Sequence, residues 1–102
     1  MIRMSVPKVR VLDAMLGDPT RPHYWYELMR STGVKSGSLY PILEQLERAN
    51  WVEGTWEQFN NAQPGRPPRR CYRLTGLGQQ AAPPAIAEYL KDLPAPGWAA
   101  LS

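Results

Sequence analysis

The chain is expected to fold as a mainly α domain with one β-hairpin (α+β), and three observations carry this. Apolar residues recur at helical spacing in three segments before residue 50. A run rich in aromatic and β-branched types follows from Trp51 to Trp56. After a stretch suited to a loop, Arg70 to Leu74 returns as a second strand. The order is helix, helix, helix, hairpin, helix.

Ser5 followed by Pro7 opens the first helix, because proline lacks the donor that a first turn leaves unused. Val9, Leu12 and Leu16 then share a face, and Gly17, Asp18 and Pro19 end the helix. Pro22 can open a second helix, in which Tyr24, Leu28 and either Trp25 or Met29 recur at helical spacing until Gly33 stops it. Between Gly33 and Gly37 the chain turns sharply, and Ser36 or Ser38 can cap a third helix through its hydroxyl. There Leu39, Ile42, Leu43 and Leu46 form an apolar stripe opposite Glu44, Gln45, Glu47 and Arg48. Asn50 can close this helix in a left-handed conformation.

Residues 58–68 hold two asparagines, Gly65 and three prolines, a composition for a protruding loop between the strands. Thr75 can cap a final helix, which Pro83 and Pro84 should break or kink before it resumes to Leu93. The tail after Pro94 is expected to fray.

At 102 residues, 43% of them apolar, the chain has enough material for one modest core and not two. It holds no apolar run near the roughly 20 residues that span a bilayer, and Met1 to Pro7 has no secretory signal pattern. A cytoplasmic, soluble protein is expected, without a membrane partner. A single cysteine, Cys71, permits neither an internal disulfide nor a cysteine-cluster zinc site, so neither metal nor cofactor is expected. A catalytic pairing would have to join that cysteine to the single histidine, His23, across a hairpin strand and a helix start. No glycine-rich phosphate loop precedes a helix, and no paired carboxylates stand out, so an enzyme is not expected.

The net charge of +3 is mild, and its placement matters more than its sum. Pro64 to Thr75 contains Arg66, Arg69, Arg70 and Arg73 with no acid among them. Such a segment neutralises phosphates, or is simply a solvated loop with incidental charge.

The run Gly37-Ser38-Leu39-Tyr40-Pro41-Ile42-Leu43-Glu44-Gln45-Leu46-Glu47, then Trp51-Val52-Glu53, Gly65-Arg66-Pro67 and Tyr72-Arg73-Leu74-Thr75-Gly76-Leu77-Gly78, closely resembles the PadR family of winged-helix transcription regulators. The likeness covers roughly Val9 to Ala82. It implies a winged helix-turn-helix with a C-terminal dimerisation helix, a third helix that enters the major groove, and a hairpin wing along the adjacent backbone or minor groove. It also implies a homodimer. The chain is similar to the short subclass, with residues 1–78 as the DNA-binding domain and 79–102 as dimerisation helix and tail; its two prolines depart from the single longer helix usual there.

The expected recognition helix is 36–50 and the expected wing 57–70. Lys35, Ser36, Gly37, Ser38, Tyr40 and Pro41 then lie at the DNA, because helix N-terminal residues reach base edges and their free amides favour phosphate. Gln45 is a further base-reading candidate. Capping is the alternative role for the serines, and packing against the neighbouring helix for Tyr40. Arg66, Arg69 and Arg70 are the expected phosphate contacts, with Arg66 able to enter a narrow minor groove. Trp25, Met29 and Trp98 are candidates for a small aromatic effector, against core packing for the first two. The function expected is that of a bacterial or phage transcription regulator binding double-stranded DNA, most simply a repressor. The alternatives are a winged-helix adaptor or anti-repressor, or a plasmid or phage protein for partition or recombination.

Overall fold

The computed structural model describes residues 2–56, 69–91 and 93. The elements run α1 (Val6–Leu16), β1 (His23–Tyr24), α2 (Trp25–Thr32), α3 (Ser36–Arg48), β2 (Val52–Trp56), β3 (Arg70–Leu74) and α4 (Gly76–Lys91). The strands form one antiparallel sheet in the order β1-β3-β2. The hairpin register pairs Val52 with Leu74 and Trp56 with Arg70. His23 and Tyr24 pair with Tyr72 and Cys71 on the other edge of β3.

Helix α1 starts where Ser5 accepts a hydrogen bond from the Lys8 amide at 3.3 Å, with proline in the first turn. Its buried face is Lys8, Val11, Leu12 and Met15, whereas Val9 and Leu16 are only half-buried. The expected face was therefore rotated, since α1 is covered by α2, α3, β3 and α4 rather than by a single neighbour. Helix α2 opens at Trp25 and not at Pro22, because His23 and Tyr24 are held extended by β3. Glu27 accepts from the Tyr24 amide at 3.1 Å at this start, and Gly33, at φ 75°, ends the helix.

Helix α3 is pinned by Leu39, Ile42, Leu43 and Leu46, all buried. Each such side chain is worth about 1.5–3 kcal/mol relative to exposure. Asn50 takes φ 62°, the Trp51 amide donates to Leu46 O at 2.9 Å, and the Asn50 amide donates to Glu47 O at 3.0 Å. That pair of bonds is the Schellman closure, and it aims the chain directly into β2.

Thr75 caps α4 by accepting from the Gly78 amide at 3.0 Å, while its own amide donates to Trp51 O at 3.0 Å. Pro83 and Pro84 do not break α4, which is helical from Gly76 to Lys91. Both prolines are exposed, so the Gln79 and Gln80 carbonyls that lose their partners lie where water reaches them. No helix among the described residues is long and apolar enough to cross a membrane.

Candidate nucleic-acid interface

The N-terminal turn of α3 is exposed from Lys35 to Ser38. Lys35, not a serine, is the N-cap residue; it caps with backbone alone, as its carbonyl accepts from Ser38 at 3.0 Å and Leu39 at 2.8 Å. The serines thus sit one and three positions inside the helix, and among the described residues neither hydroxyl makes a hydrogen bond. With no acid in the first turn, the free amides of Ser36 and Gly37 present uncompensated partial positive charge to solvent.

Nothing in the fold requires glycine at position 37, where an added Cβ meets no atom within 4 Å. Pro41 is exposed on the next turn and denies the Gly37 carbonyl its helical donor. Tyr40 is 45% exposed, and its ring lies 5.6 Å from that of Trp25, so it packs on one face and is open on the other. Gln45 is exposed and follows Ser38 and Pro41 along one stripe of the helix, seven residues or about 10 Å beyond Ser38. It lines a hollow of about 440 Å³ with Arg3, Lys8 and Arg48. Arg48 is paired there with Glu44 at 2.6 Å. Burial, and then the Arg3 charge, hold the Lys8 ammonium below the usual lysine pKa.

The wing arginines differ from one another. Arg69 donates to the Tyr26 hydroxyl at 2.8 Å and stands 4.7 Å over its ring. Arg70 is paired with Glu47 of α3 at 3.3 Å. Arg73 is exposed opposite Glu53. Arg66 and the loop of the expected wing lie outside the described residues, as does Trp98. Trp25 and Met29 are half-buried against the core, and neither lines the 440 Å³ hollow or the second one of about 740 Å³ between α1 and α2. His23 is buried, within 3.1 Å of Asp18 O and 3.3 Å of an Arg21 guanidinium nitrogen, which ties down the α1–β1 connection. Among the described residues no group of three or more histidine, cysteine or acidic side chains could hold a metal ion.

Sequence reasoning missed the partners, Tyr26 and Glu47, and with them Gly54. A helical wheel carried part of the signal, because Glu47 lies beside buried Leu43 on the flank of α3 that faces the sheet.

Residues 20–83 match the model of the transcriptional regulator PadR-like family. The chain belongs to that family. Solved PadR-like structures share its fold. A PadR-like transcription factor from Bacteroides fragilis is 21% identical with a TM-score of 0.65, covering 82% of this chain and 80% of its own. A PadR family transcription regulator from Clostridium difficile is 18% identical with a TM-score of 0.66, covering 85% and 90%. MepR of S. aureus in its DNA-binding conformation superposes with a TM-score of 0.63 at 12% identity, covering 86% of this chain and 61% of its own. Among curated proteins none matches. This PadR-like chain is a transcription regulator with the winged-helix fold of DNA-binding regulators.

Proposed function

We propose that this PadR-like protein binds double-stranded DNA sequence-specifically as a homodimer and represses transcription by excluding polymerase. The carrying observation is the α3 N-terminus, where Lys35, Ser36, Gly37, Ser38, Tyr40 and Pro41 are exposed together and the serine hydroxyls are unengaged. In this reading α3 enters the major groove by that end, and the wing follows the backbone or minor groove. Residues 1–78 act as the DNA-binding unit and 79–102 as the dimerisation unit. Supporting the dimer, Leu77 and Leu90 of α4 are each 51% exposed and Val6 of α1 is 45% exposed. No effector is assigned to Trp25 and Met29, which core packing accounts for.

The test is a fluorescence-anisotropy titration, at two salt concentrations, of a duplex selected by the protein from a random-sequence pool and of an unselected duplex. Tight, salt-sensitive preference for the selected duplex is the expected result. Equal binding to both would favour an architectural role in partition or recombination, and no binding would favour a protein-interaction adaptor. Tyr40→Ala should weaken the selected duplex by about 1–3 kcal/mol and leave unselected DNA unaffected.

A further inference from the structure

Arg70 stands at the first residue of β3, where the wing returns to the body, and a free cation there would reach toward phosphate. Its guanidinium instead turns onto the recognition helix, with Nη2 3.3 Å from Glu47 Oε2. Its Cζ lies 5.4 Å from the centre of the Trp56 ring and 5.7 Å from that of Tyr72. The two paired side chains are 30% and 33% exposed, so water screens them only in part.

The bridge crosses β2 over Gly54. A Cβ at that position would come 2.7 Å from Arg70 Nη2 and 2.9 Å from Glu47 Oε2. Gly54 has no positive φ to account for it, and glycine weakens a strand interior. The space it leaves is filled by this ion pair, and a Cβ there would require the ends of both side chains to shift.

We propose that Glu47 and Arg70 are positioning residues: together they strap the wing to the recognition helix over Gly54 and fix the spacing at which helix and wing engage DNA. The inference rests on the DNA-binding reading above and changes the role of Arg70 within it, from phosphate ligand to strap. Helix and wing grip one duplex at two places, so a loose wing loses the benefit of joint engagement. Removing an acid from a DNA-facing protein ordinarily tightens binding, since one repulsion with phosphate disappears. The strap reverses that sign, because neutralising Glu47 frees the wing.

The experiment compares the wild type with Glu47→Gln, Arg70→Ala, the double variant and Gly54→Ala, on the selected and an unselected duplex over a range of salt. Glu47→Gln and Arg70→Ala should each weaken the selected duplex about 3–10-fold, and the double variant no more than either alone. Gly54→Ala changes no charge but displaces both side chains, and should have the same effect. The slope of log affinity against log salt and the affinity for unselected DNA should stay at wild-type values. A slope reduced by about one in Arg70→Ala, with tighter binding in Glu47→Gln, would return Arg70 to phosphate contact and overturn the strap while leaving the DNA-binding reading intact. Equal weakening on both duplexes with a lowered thermal midpoint would assign the pair to fold stability alone and also overturn it. A wild-type protein that binds neither duplex overturns both readings.

Discussion

At position 37 glycine is unnecessary for folding, since its φ is not positive and its Cβ direction is open. An alanine there should stabilise the helix by about 0.5–1 kcal/mol. If the position serves close approach of a DNA backbone, Gly37→Ala should raise the urea midpoint and yet weaken the selected duplex. A variant that gains stability and binds as well as the wild type would show that the surface at Gly37 stays clear of DNA. At this scale local chemistry was legible: Ser5 and Thr75 cap as their side chains allow, and Asn50 adopts the left-handed turn. The partners of Arg69 and Arg70 were not, because Tyr26 and Glu47 lie 43 and 23 residues away in the chain. Absence of an acid from Pro64 to Thr75 says nothing about one on a neighbouring helix. The same tertiary setting acts on Tyr72, whose phenol burial pushes above the usual tyrosine pKa against the opposing influence of Arg70.

Elements were legible where a periodic pattern was long and hidden where pairing alone defined them. Helix α3 matches its apolar stripe, β2 lies where the aromatic and β-branched run falls, and β3 lies where the hairpin was expected to return after its loop. The two-residue β1 carries no pattern of its own and exists because β3 has a free edge beside it. Helix α4 departs in the other direction, because water can serve carbonyls under exposed prolines and a break is not forced. Its start lies close against the α3–β2 junction: a Cβ on Gly78 would lie 2.1 Å from Trp51 O, in backbone that cannot swing aside. Gly78→Ala should therefore cost about 1–3 kcal/mol, the range for overpacking. Urea unfolding followed by far-UV circular dichroism reads this; an unchanged midpoint would mean that α4 can lift from the α3–β2 junction without loss.

For the whole molecule, the order of the helices and the hairpin and the family likeness were both legible, because ordered motifs spread from Gly37 to Gly78 constrain a fold more than any single element. The surface offered to the proposed dimer was not, since Val6, Leu77 and Leu90 come to the surface only once α1 and α4 are placed. The exposed leucines at both ends of α4 predict that size-exclusion chromatography with light scattering finds a dimer, and that Leu90→Lys shifts it toward monomer. Affinity for DNA should fall with that shift, because in the proposed dimer each protomer supplies one recognition helix. The central claim, that α3 enters the major groove by its N-terminal end in both protomers, is tested most directly by dimethyl sulfate footprinting of wild-type protein on the selected duplex, which reports guanine N7 atoms in that groove. Two protected patches about 10 base pairs apart are the predicted result. Backbone protection from hydroxyl radicals without any protected N7 on a guanine-containing site would contradict it.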